Sequence, residues 1–298
     1  MSSTKIVAVI PSLSAARIPN ITRLSQALHP VVAQTVVFAN GRSVRDAGEI
    51  PDARVMSVGR NVGFGAAINL AASSVSQWDW LLVVNDDIEF HGTVFDRSLN
   101  DAIAETGSST LGLIYFDDSP AKKLPTVTSI AANLSLVAGI EKRLRSSTGR
   151  LPRLSKEESY RSFSLVAIGR ELWDSLGGFD ERFPFTFEDS DFVRRAKNAG
   201  AMTLMPTNFG ASHAHSATSR RHIDSVLPVS SWGAFQYLVK WGTRPTLAKT
   251  ICIAALLLRV IFVPTVSAPV KPHLKGIVRA IRALHTGVVP SLPAFDAM

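Results

Sequence analysis

Through its first 116 residues the chain alternates short, wholly apolar runs with segments whose apolar residues recur every three to four positions. The runs at 6–10, 31–38, 54–58 and 80–84 read as strands, and 21–28 and 66–75 read as helices. Strands that alternate with helices pack as a mostly parallel sheet covered on both faces, so the expected fold class is α/β. Ligands of such sheets gather at the carboxyl ends of the strands. Three of those ends carry polar residues: Pro11-Ser12, Asn40-Gly41-Arg42 and Asn85-Asp86-Asp87. The alternation predicts that they converge on one face.

Beyond residue 116 the pattern loosens into a variable insertion up to about 160, with some helix expected near 131–144. Order returns with strand-like runs at 163–168, 183–187 and 201–205 and a helical pattern over 187–200. The chain therefore divides into an α/β domain over 1–225, with 1–116 and 117–225 as its halves, and a helical C-terminal appendage over 226–298. With 298 residues and 46% hydrophobic content there is ample material for this core.

Charge is uneven. From Lys240 onward the cations are Lys240, Arg244, Lys249, Arg259, Lys271, Lys275, Arg279 and Arg282, against Asp296 alone, so this tail holds most of the formal net charge of +8. It also carries apolar residues at 251–258 and 260–263, interrupted by Arg259 and stopped by Pro264, short of the roughly 20 residues that span a bilayer. A basic, apolar segment of that kind predicts an interfacial helix on an anionic membrane surface. The alternative is a helix buried against the main domain with its basic residues solvated. Nucleic acid is not an expected partner, because the charges are not interleaved with stacking aromatics beyond Trp241. The single cysteine, Cys252, excludes an intramolecular disulfide and fits a reducing compartment. The N-terminus lacks the pattern of a signal peptide. The expected location is the cytoplasm, peripheral on the inner face of the cell membrane.

Four segments carry candidate chemistry. In Leu81-Leu82-Val83-Val84-Asn85-Asp86-Asp87 a buried strand delivers carboxylates to its end, a crowding of negative charge commonly tolerated for a divalent cation with bound phosphates. An acidic turn or helix cap is the plainer reading. In Phe187-Glu188-Asp189-Ser190-Asp191 the acids open a helix, whose dipole favours their ionised form, and an ionised carboxylate there can act as general base. Asp191 and Arg195, spaced i,i+4, can instead pair on the helix surface. In Ser212-His213-Ala214-His215 one imidazole can complete a metal site, although alternation points the two to opposite faces. Arg220 or Arg221, just beyond, can neutralise phosphate. Finally, Arg60-Asn61-Val62-Gly63-Phe64-Gly65 is a glycine turn opening a helix, a place for a nucleotide phosphate or ribose. It lacks the third small residue of a dinucleotide fingerprint, which excludes a Rossmann dehydrogenase.

Taken in this order, the segments resemble a family-2 glycosyltransferase over about residues 5–220. The most specific stretch runs from Leu176-Gly177-Gly178-Phe179-Asp180-Glu181 through Glu188-Asp189-Ser190-Asp191 to Arg194-Arg195-Ala196 and Ala199-Gly200, similar to the family's GGFDE, EDxD, R and AG signature. Residues Asn61 to Asn69 resemble its N-x-G turn beside the nucleoside, and Asn85-Asp86-Asp87 stands where its D-x-D-type motif sits. The resemblance implies a GT-A fold that binds a nucleoside diphosphate sugar with a divalent cation, Mg²⁺ or Mn²⁺. It implies Asp87, helped by Asp86, as metal ligand, with His213 or His215 beside it, and Asp189 as the base that deprotonates the acceptor in an inverting displacement. The donor-side residues are then Pro11, Asn40, Arg60, Asn61, Gly63, Asn69, Asp86 and Arg220, with Asn85, Glu188 and Asp191 as further candidates. Within the family the likeness is to bacterial rhamnosyl- and galactofuranosyl-type transferases that build surface polysaccharide on glycan or polyprenyl-linked acceptors. Two positions differ from the pattern: Asn40 stands where many relatives have an acid on the base, and Asn85 opens the metal motif in place of Asp. A non-catalytic sugar-nucleotide or carbohydrate binding protein is the competing reading. A pyrophosphorylase is disfavoured because residues 11–17 contain no glycine for a phosphate-cradling loop.

Overall fold

The computed structural model describes residues 4–46, 48–91, 94–107, 109–116, 120–139, 159–213, 222–265 and 269–292. Its centre is a seven-stranded sheet. Strand β1 (Ile6–Ser12) is an interior strand, buried throughout, with β2 (Gln34–Ala39) parallel on one side and β4 (Trp80–Val84) parallel on the other. Beyond β2 runs β3 (Arg54–Met56), also parallel. On the far side of β4 the order continues with β9 (Leu165–Gly169), β6 (Gly112–Tyr115) and β10 (Met202–Leu204). The sheet is mainly parallel, as expected, except that β9 is antiparallel to both β4 and β6.

Side chains on a strand alternate between faces, so each apolar run feeds two cores. Leu81 and Val83 of β4 join Val7, Val9 and Phe38 under α3 (Phe64–Ser73), α6 (Arg170–Leu176) and α7 (Glu188–Asn198). Trp80, Leu82 and Val84 join Ala8, Ile10 and Val37 under α1 (Ile18–Leu28) and α4 (Val94–Glu105). The short helix α2 (Arg42–Arg45) follows β2. Two small ribbons complete the strands: β5 (Ile88–Phe90) pairs with β11 (Ala211–His213), and β7 (Lys122–Lys123) with β8 (Ser159–Tyr160). One expectation fails here: residues 184–187 form bends rather than a strand. Helix expected near 131–144 is present as the end of α5 (Val127–Leu134) and again at 137–139, and residues 140–158 lie outside the described ones.

Three long helices follow: α8 (Ile223–Lys240), α9 (Pro245–Phe262) and α10 (Val270–Thr286). They build a third core with α5, in which Leu134, Phe183, Tyr237, Cys252, Leu256 and Ile277 meet. Burial pushes the Cys252 thiol up to about 12, so it is an inert packing group. Helix α9 is longer than its apolar core of sequence implied. At 18 residues it is long and apolar enough to cross a bilayer by length and composition, yet Ala248, Cys252, Ala255, Leu256 and Arg259 are buried inside the protein. Its other face is open and apolar, with Leu247, Leu257, Leu258 and Ile261 between 41% and 67% exposed.

The basic tail is less free than its composition suggests. Lys240 Nζ binds Asp180 Oδ2 at 2.6 Å and Asp191 Oδ1 at 2.7 Å. Arg195 Nε reaches Asp191 Oδ2 at 2.8 Å, and Trp241 donates to Asp191 Oδ1. The i,i+4 pair therefore exists, but Asp191 is fully buried rather than on the helix surface. It joins α7 to the end of α8.

Candidate active site

Helix α3 starts hard against the turn that begins the second half of the signature. Gly63 has a φ of 91°, and a Cβ there would lie 2.0 Å from the carbonyl oxygen of Pro184, so only glycine allows this approach. Asn40 shapes the same turn: its amide donates to the Gly63 carbonyl and its oxygen accepts from the Val62 amide, both at 3.0 Å. Asn61 accepts from the Gly63 amide at 2.9 Å. The turn walls a cleft of about 820 Å³ lined by Asn40, Gly41, Arg60, Asn61, Glu181 and Pro184. Its remaining wall is formed by Val289, Pro290, Ser291 and Leu292 from the far end of the chain.

Two expected donor-side residues have other duties. Pro11 lies inside β1, buried and in register with Phe38, so the open end of that strand is Leu13 rather than Pro11. Asn69 exchanges two hydrogen bonds with the Phe179 backbone at 2.9 Å and donates to Glu181, latching α3 to the Gly178 turn.

The acids after β4 separate. Asn85 closes the turn, its amide donating to Ser164 and its carbonyl accepting from Ile88. Asp86 accepts from Ser12 Oγ at 2.6 Å, and its carboxyl is raised above the usual range by burial, with Ser12 and Arg17 opposing. Asn20, which the sequence reading passed over, fixes this loop by donating to the carbonyls of Asp86 and Ile88. Asp87 points the other way, and its Oδ1 lies 2.9 Å from His213 Nε2. The β5–β11 ribbon makes this meeting, because His213 pairs in register with Ile88, next to Asp87. Both are sheltered, with side chains 7% and 15% exposed.

The pair suits a hard or borderline divalent cation: one carboxylate and one imidazole, already converging. Among the described residues no third His, Cys, Asp or Glu joins them. The described residues thus supply two donors, and phosphate oxygens and water would add to them in a Mg²⁺- or Mn²⁺-like shell. His215 and Arg220 lie outside the described residues, as does Arg221.

Asp189 sits in the first turn of α7, entered through Phe187 in a left-handed conformation at φ 76°. Its Oδ1 accepts from the Ser190 amide at 2.6 Å. With Glu188 it lines a second cavity, of about 690 Å³, whose other residues include Lys122, Lys123, Tyr160, Thr186 and Arg259. Burial and the neighbouring carboxyl push Glu188 up to about 8. Asp189 is raised as well, chiefly by burial, with Lys122 opposing. Sequence reasoning missed Lys122, Tyr160 and Arg259: they come from segments with no motif, and only the fold brings them to Asp189. The remaining acid of the signature, Asp180, is held well below the usual carboxylate range. Burial alone would raise it, but the hydrogen bonds from Arg182 and Lys240 outweigh that.

This architecture is the GT-A fold. A mannosyltransferase of Pyrobaculum calidifontis, solved in complex with GDP-Man and Mn²⁺, superposes with a TM-score of 0.50 at 14% identity, covering 95% of this chain and 81% of that one. No model of a known protein family matches the chain. In sequence it is 25% identical over 227 residues to the N-acetylglucosaminyl-diphospho-decaprenol L-rhamnosyltransferase of Mycobacterium tuberculosis, in strains CDC 1551 and H37Rv, spanning 66% of this chain and 74% of that protein. The chain is a glycosyltransferase of the GT-A fold with the motif order of family 2.

Proposed function

We propose that this protein is an inverting glycosyltransferase that moves a sugar, rhamnose being the first candidate, from a nucleoside diphosphate to a hydroxyl of a polyprenyl-diphosphate-linked glycan in surface polysaccharide synthesis. The observation that carries this reading is the pairing of two separate spaces. One is a cleft at the ends of β1 and β2, lined by Leu13, Asn40, Arg60 and Asn61, and the other is a cavity walled by a half-buried carboxylate, Asp189, raised above its usual range. The acceptor named for the Mycobacterium tuberculosis relative supports the lipid-linked choice.

In this reading Asn40, Arg60 and Asn61 receive the nucleoside, with Asp86 placed by Ser12 at the edge of the site. Asp87 and His213 would hold a divalent cation, which supplies charge neutralisation on the departing diphosphate. Asp189 takes the proton of the acceptor hydroxyl as its oxygen attacks the anomeric carbon from the face opposite the leaving group, so the configuration inverts. A desolvated carboxylate is a stronger base than one in water, which suits that task. Glu188 beside it is raised as well, by burial and by the neighbouring Asp189, so the pair together favours proton uptake. The open face of α9 would rest on an anionic membrane, bringing the cytoplasmic enzyme to its lipid-linked acceptor.

The test is a thermal-shift screen with Mn²⁺ and a panel of UDP-, dTDP- and GDP-sugars. A ligand that binds only the folded state raises the melting temperature. One sugar nucleotide should give a metal-dependent shift, and Asp87→Ala should abolish it. Asp189→Asn should keep the shift but lose transfer by about 10²–10⁴-fold. If no sugar nucleotide shifts the wild type, or if pyrophosphate rather than nucleoside diphosphate is released, the proposal fails.

A further inference from the structure

The cavity around Asp189 contains a cation for which the chemistry above has no use. Arg259 projects from the inner face of α9 and is only 6% exposed. Its Nη1 donates to the carbonyls of Leu134 at 2.9 Å and Asn133 at 3.4 Å, and its Nη2 lies 3.3 Å from His273 Nε2. None of these partners carries a negative charge: two are carbonyls, and burial followed by the charge of Arg259 itself lowers the pKa of His273. Burial brings Arg259 down to about 10, which leaves it charged at neutral pH. Its Nε has no partner among the described residues.

Two more buried polar atoms in the same wall are equally unsatisfied, Thr186 Oγ1 and Glu188 Oε2. Buried polar groups are nearly always hydrogen-bonded, so three unsatisfied atoms on residues that line one cavity mark that wall as one suited to a polar ligand. A buried guanidinium without a counter-ion is costly, and its planar fork matches phosphate oxygens. At the exposed rim of the cavity stand Lys122 and Lys123, adding positive charge. Two carboxyls share the space. Glu188 is protonated at neutral pH and donates rather than repels. Asp189 must remain apart from the anion, and a sugar between them provides that separation.

We infer that this cavity is an acceptor pocket with a phosphate subsite, in which the Arg259 guanidinium, supported by Thr186, Lys122 and Lys123, grips the diphosphate linking the acceptor sugar to its lipid while the sugar hydroxyl faces Asp189. The inference rests on the reading of the acceptor as lipid-diphosphate-linked. It assigns to the C-terminal appendage a residue inside the acceptor site. The turn of α9 that carries Arg259 inward exposes Leu257, Leu258 and Ile261 on its outer side.

The experiment compares two soluble acceptors, N-acetylglucosamine joined to a short prenyl chain through a diphosphate and the same sugar and chain joined without phosphate. Arg259→Gln should raise KM for the diphosphate acceptor at least tenfold, leaving KM for the donor and for the phosphate-free acceptor unchanged. Arg259→Lys, which keeps the charge but not the fork, should fall between and serves if the glutamine variant does not fold. Direct titration of the diphosphate acceptor onto the full chain, without donor, should show the same order of affinities. That readout holds even if the transfer reaction itself has been misread. Competition by inorganic pyrophosphate for the wild type but not for Arg259→Gln would assign recognition to the phosphates alone. Equal losses on both acceptors, or unchanged binding of the diphosphate acceptor in both variants, would overturn the inference while leaving the transferase reading in place.

Discussion

At the scale of single residues, Glu188 gives the clearest pH signature. Its folded pKa is raised, so the folded state binds more protons than the unfolded one between its ordinary value of 4.5 and about 8. Its contribution to stability is therefore full at the acid end of that window and is lost as pH rises through it. Glu188→Gln removes the penalty and should stabilise the fold at pH 8 by roughly a few kcal/mol, a pKa unit being worth about 1.4 kcal/mol. It should make little difference near pH 4.5. Urea melts of both proteins at the two pH values check this, and a variant less stable at pH 8 would refute it. Glu188, Asp189, Asp87 and His213 were legible because each stands in a local pattern of acids, apolar runs or alternating histidines. Pro11 and Asn69 were assigned by the same patterns, and the fold gives them other work. A strand pairing and a pair of side-chain-to-backbone bonds 110 residues apart leave no local mark. Arg259 was seen only as one cation of the basic tail and a break in its apolar run, since its partners are 125 and 14 residues away.

Among elements, α9 has a face for each of two environments. Its inner residues pack on α5, α8 and α10, so the buried-helix alternative describes one side of it. Its outer stripe is Leu247, Leu257, Leu258 and Ile261, and α10 exposes an apolar stripe of its own at Val270, Leu274 and Val278. Lys271 and Arg282 are exposed on α10, whereas Lys275 and Arg279 pair with Asp224 at 3.6 and 3.5 Å. An apolar stripe beside exposed cations is the pattern of an interfacial surface, with each basic residue near anionic lipid contributing about 1 kcal/mol. Leu257→Glu with Ile261→Glu should lower affinity for phosphatidylglycerol vesicles at least tenfold while leaving the melting temperature unchanged. Sedimentation with vesicles of graded anionic content measures it, and undiminished binding would remove α9 from the contact. Helical periodicity announced this helix, but its length was underread because Arg259 and the flanking Thr and Lys interrupt the apolar run. The pattern likewise located most strands of the sheet, while the antiparallel direction of β9 depends on long-range pairing and was not readable.

For the whole molecule, the question is what makes the C-terminal helices and the sheet domain one body. Lys240 bridges Asp180, in the glycine turn, and Asp191, in α7, from the last residue of α8. Removing one partner of a buried ion pair typically costs about 3–5 kcal/mol, because the remaining charge is left unpaired. Lys240→Met should lower stability by roughly that amount and split the denaturation into two transitions, the helical bundle melting first. A single transition with an unchanged midpoint in urea would show that apolar packing alone joins the two parts. The composition of the tail was plain in the sequence, but not its destination, since a lysine that ends a helix looks the same whether it is solvated or committed to two acids. The wall that Val289, Pro290, Ser291 and Leu292 add to the donor cleft belongs to this scale too. During synthesis the sheet, the glycine turn and both acidic motifs leave the ribosome well before that wall does. A nascent chain can therefore fold its sheet while this cleft still lacks one side, and if the cleft holds the donor as proposed, sugar-nucleotide binding becomes a property of the chain only once residue 292 has emerged and docked.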